Sequence, residues 1–166
     1  MDRFVIFGNS GSGKSTLARR LAGARGIPHL DLDTCAWEPG MPPVRRPLAQ
    51  SEREIAAFMD ANASWAIEGC YAGLLAAPLS RSTLAIFLNP GIEACIANAE
   101  ARPWEPHKYE SPQAQDANLG MLRAWIRDYR VRGDELSLAA HRALFDGFAG
   151  SKVELCSREA ISAFGG

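Results

Sequence analysis

A run of small and polar residues near the start of the chain has the composition needed to hold phosphate groups. It reads Gly8-Asn9-Ser10-Gly11-Ser12-Gly13-Lys14-Ser15, and Thr16 follows it. Glycine permits backbone angles and close approaches that other residues block, so successive N–H groups can turn inward around phosphate oxygens. In this spacing Lys14 is expected to reach the β- and γ-phosphates, and the Ser15 hydroxyl is expected to bind Mg²⁺. The run therefore predicts a nucleoside triphosphate site formed by residues 8–16.

The residues on both sides of this run support the same prediction. Before it, the apolar segment 3–7 is typical of a buried strand, because it is short and rich in β-branched and aromatic residues. After it, segment 16–22 contains good helix formers, with Leu17 and Leu21 on one face. A strand, a glycine loop and a helix in this order form a P-loop, in which phosphate lies at the positive end of the helix.

Three carboxylates are predicted to lie near this loop. Segment 29–33 reads as a second strand in which two leucines alternate with Asp31 and Asp33, so the two acids are expected to share one side of the strand end. Glu68 follows a third predicted strand at 65–67. In parallel sheets ligands bind at the carboxyl ends of the strands, so all three acids are candidates for metal or substrate contacts.

Arginines supply candidate positive charges in two places. Arg123, Arg127 and Arg130 recur at i, i+4 and i+7 beside an apolar seam, which fits either a stripe that borders a cleft or a solvated helix face. Arg45 and Arg46 lie where a clamp for an acceptor could form, and an ordinary surface position is the alternative.

The remaining pattern predicts strands that alternate with helices. The expected elements are a helix over 51–61 with Ser51 and Glu54 as a capping box, a strand over 84–88, helices over 92–101, from Ser111-Pro112 and from Ser137 to about 148, a strand over 153–156 and a short last helix. Segment 37–47 contains too much proline for regular structure. We predict one α/β domain over residues 1–166, with a five-stranded parallel sheet flanked by helices. His141 falls on an apolar helix face, which favours a core histidine.

Composition narrows the class of protein. The chain has a formal net charge of −1 and a pI near 6.3, so we expect no nucleic-acid partner. No apolar run approaches the length of a membrane span, and we expect no signal peptide before the first strand. The four cysteines are scattered and are expected to be reduced, which together favours a cytoplasmic protein.

Small-molecule kinases of the P-loop class resemble this sequence. GTPases carry an Asn-Lys-x-Asp motif, which is absent here. Asp31-Leu32-Asp33 is similar to the Asp-x-Asp of the shikimate kinase family, and the resemblance implies that Asp31 assists the magnesium and that Asp33 orients or deprotonates the acceptor. Glu68-Gly69 is similar to the Asp-Gly of adenylate-kinase-like proteins, where the acid holds a magnesium-bound water. The resemblance thus implies Ser15, Asp31 and Glu68 around Mg²⁺.

The same resemblance implies a lid and an acceptor region. Residues 102–112 occupy the lid position of these kinases, and Arg102 resembles the lid arginine of the shikimate kinase group. The acceptor region is expected over residues 34–62. The sequence departs from both families after the third strand, because Cys70 and Tyr71 replace the glycines of shikimate kinases and no arginine follows as in adenylate kinases.

The implied activity is ATP- and Mg²⁺-dependent transfer of the γ-phosphoryl group to a hydroxyl of a small metabolite. Lys14, Asp33 and Arg102 are the implied catalytic residues. The candidate substrate contacts are Asp33, Arg45, Arg46, Arg127 and Arg130. Two alternatives stay open: a nucleotide-driven ATPase or switch without an acceptor, and a nucleoside or nucleotide kinase.

Overall fold

A computed structural model describes residues 1–40, 42–106 and 108–165. Met41 of the predicted acceptor region, His107 of the predicted lid and Gly166 lie outside the described residues. Within them the strands are Arg3–Gly8 (β1), His29–Asp31 (β2), Trp37–Glu38 (β3), Val44–Arg45 (β4), Trp65–Gly69 (β5), Leu84–Leu88 (β6) and Lys152–Leu155 (β7). The helices are Lys14–Arg25 (α1), Leu32–Ala36 (α2), Leu48–Ala61 (α3), Ala72–Arg81 (α4), Ile92–Glu100 (α5), Pro112–Arg127 (α6), Leu138–Gly147 (α7) and Arg158–Ala163 (α8).

The main sheet is parallel and five-stranded, in the order β2-β5-β1-β6-β7. Helices cover both of its faces, as the alternation along β1 requires. Phe4 and Ile6 pack on one face with α1, whereas Val5 and Phe7 pack on the other with α3, α4 and α7. The predicted fold class is confirmed. In the described part of the chain, no helix is both long and apolar enough to span a membrane.

The second strand is shorter than predicted. It ends at Asp31, whose side chain accepts a hydrogen bond from the Asp33 N–H at 2.9 Å and caps α2. An aspartate in this position satisfies a free helix N–H, which favours starting a helix over continuing the strand. The prediction of an extended segment up to residue 33 is therefore wrong, and Asp33 lies in the first turn of α2 rather than beside Asp31 on a strand.

The acceptor region also differs from its prediction. Helix α3 begins at Leu48, and the Ser51 hydroxyl donates to the Cys35 carbonyl at 2.7 Å instead of capping a helix. Glu54 pairs with Arg46, so the predicted capping box is wrong. Segment 37–47 is not irregular throughout, because β3 and β4 form a short antiparallel hairpin.

Two N-terminal helix caps predicted from the sequence are present in the structure. Ser111 and Ser137 accept hydrogen bonds from the N–H groups of Ala114 and Ala140, which confirms both predicted caps. Helix α4 was not predicted, and β7 begins and ends one residue earlier than expected. His141 is fully buried, as predicted.

Candidate active site

The glycine loop connects β1 to α1 and packs against α5. Gly11 has a φ of 75°, and a Cβ at this position would lie 2.3 Å from the Cys95 carbonyl oxygen. The Asn98 side chain donates to the Gly11 carbonyl at 2.8 Å. This close packing on α5 leaves room only for glycine, so the path of the loop is set by backbone contacts.

The predicted nucleotide-binding residues are brought together by this loop. Residues 10, 11 and 13–16 line a cavity of about 730 Å³, while Asn9 and Ser12 are buried beneath it and Gly8 ends β1. The Lys14 ammonium donates to the Asn9 carbonyl at 2.9 Å. Asn9 in turn donates to the Ile126 carbonyl at 3.2 Å, which ties the loop to α6.

The predicted metal ligands lie next to one another. The Ser15 hydroxyl donates to Glu68 Oε1 at 2.5 Å, and Glu68 stands opposite Asp31 in the register of β2 and β5. Burial, followed by the charges of Glu68 and Asp33, raises the pKa of Asp31 to about 6. Negative charge is therefore concentrated at the edge of the sheet next to Ser15.

Asp33 lines the same cavity and has two partners. Its Oδ1 accepts from the Tyr71 hydroxyl at 2.7 Å, and its Oδ2 lies 3.4 Å from the Lys108 ammonium. Burial opposes ionisation of Asp33, but the Lys108 cation, the Tyr71 hydrogen bond and the Lys14 cation outweigh it, so its pKa lies below the usual range. Asp33 is thus an anionic hydrogen-bond acceptor.

Sequence reasoning missed the roles of Tyr71 and Trp37. The Trp37 indole donates to the Tyr71 hydroxyl at 2.8 Å, so these two side chains and Asp33 form a chain of hydrogen bonds. The sequence indicated Tyr71 only through its position, because it follows Glu68-Gly69-Cys70 just after the third predicted strand. Cys70 also lines the cavity, and burial raises the pKa of its thiol to about 12, which makes it a poor nucleophile.

The described residues of the predicted lid, 102–112, contact one another and the side chain of Gln115 in α6. Arg102 pairs with Glu105 at 3.3 Å, and Lys108 lies 3.7 Å from the same carboxylate. The Gln115 side chain accepts from the Glu105 N–H at 2.8 Å and donates to the Pro103 carbonyl at 3.2 Å. Arg102 and Lys108 of this predicted lid both line the large cavity.

The other predicted arginines lie outside this cavity. Arg45 pairs with Glu135 at 2.9 Å and lies over the Tyr71 ring, 4.3 Å from its centre. Arg46 is paired with Glu54. The side chains of Arg127 and Arg130 are exposed, and neither belongs to the described lining of the large cavity. Their contact with a substrate stays a prediction.

A second cavity of about 550 Å³ adjoins the other side of the glycine loop. It shares Gly11, Gly13, Thr16, Arg102 and Pro103 with the first. None of its described lining residues is acidic, and α8 contributes part of its wall. The loop thus separates a cavity with carboxylates from one without them.

Solved structures of small-molecule kinases share this fold. A sugar kinase from Janibacter sp. HTCC2649, solved unliganded, aligns over 98% of this chain and 91% of its own, with a TM-score of 0.55 and 16% identity. A gluconokinase from Sinorhizobium meliloti 1021 aligns over 97% and 90%, with a TM-score of 0.52 and 18% identity. A shikimate kinase from Acinetobacter baumannii, solved with shikimate, covers 98% and 88% at a TM-score of 0.48 and 17% identity. The sequence matches no protein-family model and no curated protein sequence.

Proposed function

We propose that the protein is an ATP- and Mg²⁺-dependent phosphotransferase that moves the γ-phosphoryl group to a hydroxyl of a small molecule. The observation that carries the proposal is a single cavity that both the phosphate-binding loop and Asp33 line. An enzyme that only hydrolyses ATP also orients its attacking water with a side chain, so transfer of the phosphoryl group to an organic acceptor is what distinguishes the two activities.

ATP, the phosphoryl donor, would span both cavities. The triphosphate would follow the loop, with its nucleoside end in the second cavity, where no described lining residue is acidic. Lys14, the loop N–H groups and Arg102 would offset the phosphate charge. The γ-phosphate would then point along the large cavity toward Asp33.

Ser15, Asp31 and Glu68 fit Mg²⁺ by the chemistry of their donor atoms. Mg²⁺ prefers oxygen ligands and is usually bound by one or two carboxylates together with substrate phosphates and waters. Two neighbouring carboxylates with concentrated negative charge supply such oxygens here. When bound, the ion would neutralise charge on the transferring phosphoryl group.

The transfer itself would need positioning more than base strength. The acceptor oxygen attacks the γ-phosphorus as the bond from that phosphorus to the bridging oxygen breaks, and the electron pair of the broken bond stays on ADP. The acceptor proton passes to Asp33 and then to solvent. The low pKa keeps Asp33 anionic, so it can orient the hydroxyl and accept its proton as the new bond forms, which suits the loose transition state of phosphoryl transfer.

The test uses ATP labelled in its γ-phosphate and a pooled metabolite extract. Transfer of label to an organic product supports the proposal, and slow hydrolysis that the extract does not stimulate contradicts it in favour of an ATPase or switch. In Asp33→Asn the transfer should fall at least ~100-fold, while ATP affinity changes less than about tenfold. Asp60→Asn, which removes a carboxylate of an exposed ion pair with Arg81, is the matched control and should change neither.

A further inference from the structure

The exposed tryptophans of the chain converge on one cavity. Of the four tryptophans, Trp65 is fully buried, whereas Trp37, Trp104 and Trp125 are 37%, 45% and 40% exposed. All three exposed rings line the large cavity. Exposed aromatic surface gathered in a cleft marks a place where a ligand buries it.

These rings are fixed in place by the protein. The Trp37 indole N–H is bound by the Tyr71 hydroxyl, and the Trp104 indole N–H donates to the Tyr109 carbonyl at 3.1 Å. The Arg132 guanidinium lies over the Trp125 ring, 3.4 Å from its centre. Rings held in this way lose little freedom when a ligand stacks on them, which favours binding.

Among the described cations that line the large cavity, Lys108 and Arg102 already lie beside carboxylates, whereas Lys14 and Arg19 belong to α1, which follows the phosphate-binding loop. Lys108 lies beside both Asp33 and Glu105, and Arg102 pairs with Glu105. Arg45, behind the Tyr71 ring, is paired with Glu135. An anionic acceptor would have to displace one of these carboxylates and would meet Asp33 and Glu105 in the cavity. An uncharged acceptor has no such penalty.

We infer that the acceptor is an uncharged, hydroxylated ring compound that stacks on exposed tryptophan rings of this cavity, with one hydroxyl at Asp33. This inference rests on the proposed kinase function and specifies its substrate class. It excludes acceptors that are recognised through a carboxylate or a phosphate group. The rings supply affinity through their faces, and Asp33 selects the hydroxyl that reacts.

The experiment divides one metabolite extract by anion exchange into an uncharged and an anionic fraction. Each is incubated with the protein and γ-labelled ATP. Label transferred in the uncharged fraction supports the inference. Label transferred only in the anionic fraction overturns it while the kinase function stands, and transfer in neither fraction overturns both.

A second measurement tests the stacking on exposed tryptophan rings with the acceptor isolated in this way. Trp104→Leu and Trp125→Leu should each raise its KM about two- to twelvefold, the range for one aromatic stacking contact, with the KM for ATP unchanged. Met121→Leu is the control, because Met121 is exposed on α6 but is not among the described residues that line the cavity. An unchanged acceptor KM in both tryptophan variants would overturn the stacking.

Discussion

The Lys108 ammonium lies 3.4 Å from a carboxylate oxygen of Asp33, so the lid segment contacts the acid proposed to orient the acceptor. The two side chains are 32% and 39% exposed. An ion pair with this exposure stabilises a contact by only about 0.2–1 kcal/mol. This ion pair therefore holds the predicted lid only weakly, and under the proposed function an acceptor hydroxyl at Asp33 would compete with Lys108.

Removing this ion pair should loosen the lid. In Lys108→Ala we expect chymotrypsin to cut after Trp104 or Tyr109 about 1.5- to 5-fold faster than in the unmodified protein. A non-hydrolysable ATP analogue should slow cleavage in both. Lys152→Ala is the control, because Lys152 contacts carbonyls of α7 and not the lid. Equal cleavage rates in Lys108→Ala and the unmodified protein would show that the pair does not restrain the lid.

Lys14→Ala should weaken ATP binding. A hydrogen bond to a charged group contributes about 1.5–3 kcal/mol, so the Kd for ATP should rise roughly 10- to 150-fold by calorimetry. Arg25→Ala removes a cation from the far end of the same helix, where it pairs with Asp2, and should leave the Kd unchanged. An unaltered Kd in Lys14→Ala would remove the P-loop from the proposed mechanism.

Two glycine-to-alanine changes should have opposite effects on stability. Gly11→Ala forces a left-handed residue to carry a Cβ against the Cys95 carbonyl, and should lower the free energy of unfolding by roughly 2–5 kcal/mol. Gly23 lies inside α1, where an added Cβ would have no neighbour within 4 Å beyond the backbone of its own helix. Gly23→Ala should therefore raise the free energy of unfolding by about 0.5–1 kcal/mol. Urea unfolding measures both, and a destabilised Gly23→Ala would contradict the helix argument.

His141 should make stability depend on pH. Its Nε2 lies 2.7 Å from the Cys70 carbonyl, which can only accept, so Nε2 carries the proton and Nδ1 accepts from Tyr129. The pKa of His141 is lowered to about 4, mainly by burial. The Lys14 cation also lowers this pKa, whereas the hydrogen bond to the Cys70 carbonyl and the charge of Asp134 raise it.

Because the pKa of this histidine is lower in the folded state, the unfolded state binds its proton first as the pH falls. The contribution of neutral His141 to the free energy of unfolding is complete above about pH 6.5 and is lost between about pH 6.5 and 4. From pH 7.5 to 5 the unfolding free energy should fall by about 2 kcal/mol more in the unmodified protein than in His141→Gln. Parallel pH profiles for the two proteins would contradict a buried neutral histidine.

The sheet could be predicted from sequence because its central strands are short apolar runs that end at glycine or proline. The hydrophobic pattern of residues 3–7 and 84–88 is decisive in this way. Helix α2 could not be predicted, since five residues are too few to show a helical period and a side-chain cap on Asp31 starts it. The capping-box pattern at Ser51 failed because a tertiary contact with Cys35 uses its hydroxyl.

The acceptor side of the site depends on contacts that no local pattern reports. Tyr71 binds Asp33 across 38 residues, and Glu135 neutralises Arg45 across 90. The sequence shows that these residues exist but not that they meet. The glycine loop could be predicted because its chemistry lies within one short run, whereas the acceptor end is assembled from α2, the β3–β4 hairpin, the lid and the end of β5.

The distribution of the tryptophans also determines what the protein emits under ultraviolet light. Trp65 contributes a steady signal from the core, while Trp37, Trp104 and Trp125 emit from the wall of the large cavity. Under the proposed function, a nucleotide or acceptor that enters the cavity would change the solvent around these three indoles and therefore their fluorescence. Occupancy can thus be titrated on the unlabelled protein, even for an acceptor whose identity is not yet known.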